Sequence, residues 1–123
     1  MQLDIIEIRT YNYFEHNRQV KQINKHDLAN ISVLLPELKP IKIAHVRLSR
    51  LNFVSVSNSE IRFLQKFSNK IYFNFYTVKS DKLLLVINDE IKLPHIVHVH
   101  QLQNLYYDLT GDILKLPEAK NEP

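Results

Sequence analysis

The sequence predicts an α+β fold, a small single domain in which an antiparallel β-meander carries a short central helix and a C-terminal amphipathic helix packed on the sheet. Apolar and polar residues alternate between positions 61 and 93, which indicates successive strands. Apolar residues recur at helical spacing between positions 98 and 111. The length of 123 residues, with 45% hydrophobic residues, suits one modest core. We expect one domain over residues 1–117 and a flexible tail over 118–123.

The N-terminal third is predicted to begin with a hairpin. Residues 3–14 are rich in β-branched and aromatic side chains, residues 15–18 supply a turn, and residues 19–23 supply the return strand. The polar stretch 24–30 reads as a loop.

A short strand is expected next, because Ile31, Val33 and Leu35 alternate with other residues before Pro36. The following stretch 36–40 is interpreted as a linker within the domain.

The hydrophobic period changes in the middle of the chain, where residues 43–51 predict a short helix. Asn52 is then placed just past the helix end, where asparagine is the usual substitute for glycine. Residues 55–59 are expected to form a loop. The strands of the predicted meander follow at 61–67, 71–78, 82–87 and 91–93.

The C-terminal helix is predicted from its stripe and its stop signal. The apolar stripe consists of Val99, Leu102, Leu105, Tyr106 and Leu109. The other side is assigned His100, Gln103, Asn104, Tyr107 and Asp108. Gly111, the only glycine, stands where a helix end needs a left-handed residue.

Composition excludes several kinds of site. A single glycine predicts few tight turns of the primed types and leaves no glycine-rich loop to cradle a phosphate. The absence of cysteine removes disulfides, thiolate nucleophiles and sulfur-ligated zinc, and no cofactor is expected. No basic segment precedes an apolar run at the N-terminus, and the longest apolar run spans only residues 83–87. We therefore expect a cytoplasmic protein without a membrane segment.

Charge is distributed unevenly along the chain. Residues 39–82 hold nine Lys or Arg and two Asp or Glu, whereas residues 83–123 hold three and six. A basic block of this kind suggests an acidic partner, either nucleic acid, a nucleoprotein or an acidic protein surface. The alternative is that these cations simply solvate outward faces of the fold.

The candidate partner-binding residues are the cations of this block and two tyrosines that share a strand face. They are Lys39, Lys42, Arg47, Arg50, Arg62, Lys66, Lys70, Tyr72 and Tyr76. Tyrosines on one face could stack nucleic-acid bases. The competing interpretation places both tyrosines in a second core face.

Two weaker patterns concern metal chemistry. His95, His98 and His100 lie within six residues, but helical geometry points His100 away from the other two, so we expect no metal site. Asp81, Glu90 and Lys92 resemble the carboxylates and lysine of metal-dependent nucleases. Turns explain both acidic positions, so the chain is predicted not to be an enzyme.

The C-terminal motif resembles that of a family of small phage and prophage proteins. The motif reads VHQLQNLY at residues 99–106 and LTG at 109–111, with Leu114 after it. Further similarity lies at Arg9, Asn12 and Tyr13, which match an R-x-x-N-Y stretch. The central match comprises Pro40, Ile41, Ile43, Leu48, Leu51 and Phe53.

The chain also departs from that family. Glycines of the family are replaced by Thr10 or Tyr11 in the first hairpin and by Asn52 after the central helix. Acidic residues and a tryptophan of the central helix are replaced at positions 45–47, so an acidic helix has become basic.

The resemblance implies a phage or mobile-element origin. Small phage proteins without catalytic signatures often bind and block host machinery, so the leading hypothesis is a non-enzymatic inhibitor of host defence. An anti-CRISPR protein that docks on a nuclease effector or its guide RNA would be one example. The alternatives are a nucleic-acid-binding accessory protein, a metal-dependent nuclease and a sponge for small signalling molecules.

Overall fold

A computed structural model describes residues 8–57, 62–79 and 82–116, with the backbone alone at positions 57, 62, 63 and 79. The strands of the described chain are β1 (Tyr13–His16), β2 (Gln19–Gln22), β3 (Leu38–Lys39), β4 (Val54–Ser57), β5 (Arg62–Ser68), β6 (Ile71–Lys79), β7 (Lys82–Ile87) and β8 (Ile91–Leu93). Its helices are α1 (Lys25–Ala29), α2 (Ile31–Leu34), α3 (His45–Arg50) and α4 (Val99–Thr110).

The predicted α+β class is confirmed. An antiparallel sheet has the strand order β2-β1-β3, and a second antiparallel sheet has the order β4-β5-β6-β7-β8. The described chain divides into two compact units. The first unit contains the residues up to Lys42 together with His98–Lys115, and the second contains Ile43–Val97 together with Leu116. A single domain over 1–117 stays a prediction, and the tail 118–123 lies outside the described residues.

The first unit begins with the predicted hairpin. β1 pairs with β2, with His16 opposite Gln19, so only Asn17 and Arg18 form the turn. β3 pairs with the other edge of β1. The expectation of a linker at 36–40 is therefore wrong, because a 3-10 turn at Leu35–Glu37 and β3 occupy that stretch.

The stretch between β2 and β3 is helical, which corrects two predictions. The polar residues 24–30, interpreted as a loop, contain α1, and the strand expected at 31–35 is α2. Asn24 and Asp27 form a capping box, in which each side chain accepts a hydrogen bond from the other's backbone N–H, at 2.9 and 3.0 Å.

Helical spacing of leucine and isoleucine explains why this stretch does not form a strand. Leu28, Ile31 and Leu34 lie three residues apart and pack against the core of the first unit. That core consists of Ile8, Phe14, Ile23, Leu35 and Leu38. Val33, which the strand interpretation placed on an apolar face, is 73% exposed.

The C-terminal helix is confirmed as α4. Its residues Val99, Leu102 and Tyr106 are buried, and the helix contacts β1. It ends at Gly111, whose φ of 79° is the left-handed conformation predicted for this position. Leu109, assigned to the apolar stripe, is instead 40% exposed in the last turn of the helix.

The second unit contains the predicted meander. β5, β6, β7 and β8 pair in chain order, and the turn expected at Ser80–Asp81 falls outside the described residues. The loop expected at 55–59 is wrong over its described part, because β4 pairs with β5 there. Valine and serine alternate in β4, which is the two-residue period of a strand.

The central helix is confirmed as α3. Leu48 is its buried anchor, and Asn52 after its end has a φ of 69°. Phe53 then packs edge-on against Phe75 of β6, with ring centroids 5.6 Å apart. His45, the first helical residue, lies 3.4 Å from the hydroxyl of Thr77, also on β6.

Tight turns with positive φ are frequent despite the single glycine, so the expectation of few such turns is wrong. Asparagine begins each of three turns in which two consecutive residues have positive φ. These pairs are Asn17–Arg18, Asn69–Lys70 and Asn88–Asp89. Asparagine tolerates the left-handed region better than other residues with a Cβ, so it substitutes for glycine here.

Tyr11 has a φ of 75°, which is unusual for a bulky side chain. It lies in a turn closed by the hydrogen bond from the N–H of Asn12 to the carbonyl of Arg9, at 3.1 Å. Tyr11 and Asn52 both have the backbone conformation that favours glycine.

Candidate binding surfaces

The predicted binding residues are divided between the two units. Lys39 and Lys42 belong to the first unit. Lys39 is exposed on β3 and is paired in register with Glu15 of β1, an arrangement of opposite charges that stabilises neighbouring strands. Lys42 is exposed and makes an isolated backbone bridge with His98.

The remaining predicted residues belong to the second unit, where α3 defines one side of the five-stranded sheet. His45 and Phe53, at the two ends of α3, contact Thr77 and Phe75 of β6. Because alternate residues of a strand share a face, these contacts place α3 over the face that carries Phe73, Phe75 and Thr77.

Three of the predicted cations lie on this side, which we call the α3 side. Arg47 is half-buried and Arg50 is exposed, both in the last turn of α3. Cations there also interact favourably with the helix dipole, which gives both arginines a structural role. Lys66 is paired in register with Phe73, so its side chain shares that face. Arg62 begins β5, and its side chain lies outside the described part.

The two tyrosines lie on the opposite face of the sheet, which we call the aromatic face. Phe67 is paired in register with Tyr72, and their ring centroids are 4.3 Å apart. Phe67 is 54% exposed and Tyr72 is 43% exposed. Tyr76 shares this face two residues beyond Asn74. Lys70 is exposed in the turn between β5 and β6.

This division means that the sequence pattern of cations interleaved with aromatic residues does not form one surface. In each strand, neighbouring residues point to opposite faces, so sequence proximity separates side chains instead of joining them. Lys66 and Tyr72 are therefore on opposite faces of the sheet. Whether either face binds a partner stays a prediction.

A polar network crosses the aromatic face and was not predicted. Asn74 is only 1% exposed, and its amide accepts from the side chain of Gln65 at 2.9 Å and donates to the Asp89 carboxylate at 3.0 Å. The Tyr76 hydroxyl donates to the same carboxylate at 3.2 Å. Burial, together with that carboxylate, raises the pKa of Tyr76 above its usual value. The position of Asn74 between Phe73 and Phe75 is the one feature of the sequence that indicates a buried polar group here.

A second unpredicted network joins the N-terminal turn of the first unit to α4. Gln103 is completely buried, and its side-chain oxygen accepts from the N–H of Tyr13 at 2.9 Å. Its amide group donates to the carbonyls of Tyr11 and Leu114, at 2.9 and 3.0 Å. Gln103 thus supplies hydrogen-bond partners to backbone groups of the N-terminal turn and of the segment after α4.

Asn12 and Asn104 extend this network. The Asn12 side chain accepts from the N–H of Arg9 at 2.7 Å and donates to the side chain of Asn104 at 2.9 Å. The two stretches that carry the phage-family resemblance, R-x-x-N-Y and VHQLQNLY, therefore contact each other directly. Their polar residues hold the turn against the helix.

The exposed edge of the same contact is an ion pair. The Arg9 guanidinium donates to both carboxylate oxygens of Asp108, at 2.7 and 3.1 Å. This contact holds the pKa of Asp108 below its usual value and raises that of Arg9. The ring of Tyr11 lies 5.7 Å from that of Tyr107. Both partners of the ion pair are partly exposed, so solvent screens it.

The three C-terminal histidines are in different environments. His95 is exposed, His98 is half-buried, and His100 is only 1% exposed. The outward orientation expected for His100 is wrong, because its side of α4 packs against Phe14 of β1. Among the described residues, no cluster of three or more His, Asp or Glu side chains could hold a metal ion.

His100 lies beside aromatic rings. Its ring centroid is 4.8 Å from that of Phe14 on β1 and 5.9 Å from that of His98. Neither ring nitrogen of His100 has a hydrogen-bond partner in the described structure. Burial, with a smaller contribution from His98, lowers the pKa of His100 to about 4.

The nuclease-like trio is only partly described. Glu90 is exposed in the turn after β7, and Lys92 is exposed on β8. Asp81 lies outside the described residues. The nuclease hypothesis stays a prediction.

Comparison with protein-family models, with curated proteins and with solved structures found no match. None of the helices in the described ranges is long and apolar enough to cross a membrane.

Proposed function

We propose that this chain is a non-enzymatic binding protein that inhibits a host defence system. Its target would be a nuclease effector or the guide RNA of that effector, as for an anti-CRISPR protein. The observation that carries the proposal is the group of cations on the α3 side, Arg47, Arg50 and Lys66. The resemblance to small phage proteins supports it as well.

The chemistry of these side chains suits an acidic partner. Guanidinium groups bind phosphates and carboxylates in a bidentate manner, and two of them stand three residues apart on α3. Contacts between opposite charges mainly increase the rate of association and the specificity for acidic surfaces, and they contribute less to the affinity itself. The target is thus expected to present a phosphate backbone or a cluster of carboxylates.

Charge reversal tests this proposal. We expect expression of the chain to restore phage growth in a host that carries a susceptible nuclease defence system. The triple variant Arg47→Glu, Arg50→Glu and Lys66→Glu should lose that protection, because it repels an acidic target. Phage titre on matched lawns is the measurement.

A matched variant controls for net charge. Lys25, Lys82 and Lys115 are exposed and are not among the cations of the α3 side, so their replacement by glutamate changes net charge equally. This control should retain protection. Equal activity of the two triple variants, or no protection against any nuclease system tested, would contradict the proposal.

Direct binding of nucleic acid is the second candidate, and the exposed ring pair of Phe67 and Tyr72 favours it. Bases stack on exposed aromatic rings, and each such stack contributes about 1–3 kcal/mol. Lys70, in the adjoining turn, could contact the phosphate backbone.

Binding of a labelled single-stranded RNA at low and high salt tests this candidate. We expect Tyr72→Leu to weaken binding about tenfold, because leucine keeps the apolar contact and removes the stacking ring. Val54→Ala is the control, since Val54 is a 65% exposed residue paired in register with Gln65 of the aromatic face. Absence of RNA binding even at low salt would exclude this function.

A further inference from the structure

His100 is completely buried, and neither of its ring nitrogens has a hydrogen-bond partner among the described residues. The imidazole lies in the first unit between α4 and β1, against Phe14, and is 1% exposed. Buried polar groups are normally hydrogen-bonded, so an orphaned imidazole calls for an explanation. The proposed inhibitory function does not use this residue.

The surroundings of the ring tolerate only the neutral form. A neutral imidazole can be buried at moderate cost, whereas an imidazolium without a counter-ion loses its hydration and gains nothing in return. Phe14 belongs to the apolar core of the first unit and is completely buried. A proton on His100 would therefore place an unpaired charge beside that core.

The titratable groups of α4 and its neighbouring turn give no compensation. His98, stacked 5.9 Å from His100, would repel the charge if it were itself protonated. Asp108 is engaged in its bidentate contact with Arg9. Lys42, in the segment that bridges to His98, is a cation.

The described groups on β1 and its neighbouring elements also do not compensate a charge on His100. His16 shares the Phe14 face of β1 and is paired with Glu37, with 2.9 Å between Nε2 and Oε1. Glu15 lies on the other face, in register with Lys39. Among the described residues, Asp108 and Glu37 are therefore engaged by Arg9 and His16, and Glu15 lies on the other face of β1.

We propose that His100 is an acid-sensitive lock that keeps α4 packed on β1 at neutral pH and releases it when the ring is protonated. Release of α4 would also break the contacts of Gln103 with Tyr11 and Tyr13, because these contacts depend on the same packing. Opening of the first unit would thus become more favourable as the pH falls towards 4.

The direction of the pH effect on stability follows from the linkage between protonation and folding. The pKa of His100 is lowered from 6.5 to about 4 in the folded chain, so between these values the unfolded chain binds more protons. Stability from this site is complete above pH 6.5 and decreases as the pH falls towards 4. At pH 5 the unfolding equilibrium constant should rise about 30-fold from this residue alone.

Urea unfolding of the full chain at pH 7.5 and pH 5.0 tests the lock. His100→Leu removes the titrating group and should abolish most of the 30-fold difference between the two pH values. His95→Leu removes an exposed histidine as the control and should leave the difference intact. If His100→Leu does not fold, His100→Gln provides a second non-titrating variant.

Two measurements on the unaltered chain complete the test. The NMR titration of the His100 ring should give a folded-state pKa well below 6.5, and the protection factors of the α4 amides against hydrogen exchange should fall selectively at pH 5.0. A normal pKa for His100, or equal pH dependence in His100→Leu and the unaltered chain, would overturn the proposal.

Discussion

Gln103 shows how much a single side chain decides in the first unit. It satisfies the N–H of Tyr13 and the carbonyls of Tyr11 and Leu114 from a completely buried position. A glutamine is suited to this role because its amide carries an acceptor and two donors on one flat group. The strained φ of Tyr11 is held in place by these contacts.

We expect Gln103→Leu to lower the free energy of unfolding by about 3 kcal/mol or more. The substitution removes three hydrogen bonds from a completely buried side chain to the backbone, and loss of a partner for a buried polar group costs about 1–3 kcal/mol. Urea denaturation at neutral pH measures the loss. Gln19→Leu, on an exposed position of β2, is the control and should change stability by less than about 0.5 kcal/mol. Similar effects from both substitutions would contradict this role for Gln103.

At the scale of elements, alternation and helical spacing compete over short stretches. Residues 31–35 satisfy both patterns, and the structure follows helical spacing because Leu28, Ile31 and Leu34 all reach the core of the first unit. The capping box of Asn24 and Asp27 was a readable sign of a helix start. The polar residues around this capping box favour the interpretation of a loop instead.

We expect Asn24→Ala to lower the free energy of unfolding by about 1 kcal/mol, because it removes the N-terminal cap of α1.

Burial tends to raise the pKa of Asp27, but the N–H of Asn24 and the ammonium of Lys21 lower it overall. Stability from Asp27 is therefore present at neutral pH and lost as the pH falls through its lowered folded-state pKa.

Thermal unfolding of Asn24→Ala beside the control Ser32→Ala measures the cap. Ser32 is exposed in α2 and its replacement should have little effect. An unchanged melting temperature for Asn24→Ala would show that α1 does not depend on its cap.

At the scale of the whole molecule, the basic block of the sequence is spread over both units and over two faces of one sheet. Lys39 and Lys42 belong to the first unit, whereas Arg47, Arg50 and Lys66 belong to the second. A count of charges along the chain cannot detect this separation. Because of this separation, the candidate binding residues of the second unit lie on two surfaces, the α3 side and the aromatic face.

The sequence by itself determined the elements whose signal is local and repeated. Short apolar runs separated by turn residues, with alternation clearest in β6, predicted the meander, and the stripe of α4 with its terminal Gly111 predicted the helix and its end. These patterns depend on neighbours along the chain, and such neighbours are fixed by the sequence.

Only the tertiary structure decided what surrounds each side. His100 and Gln103 look like outer residues when α4 is considered alone, yet both are buried, His100 against Phe14 and Gln103 in contact with Tyr13 and Leu114. Short strands such as β3 and β4 exist because a neighbouring strand satisfies their backbone groups. Burial and strand pairing arise from residues distant in the chain, so local patterns could not reveal them.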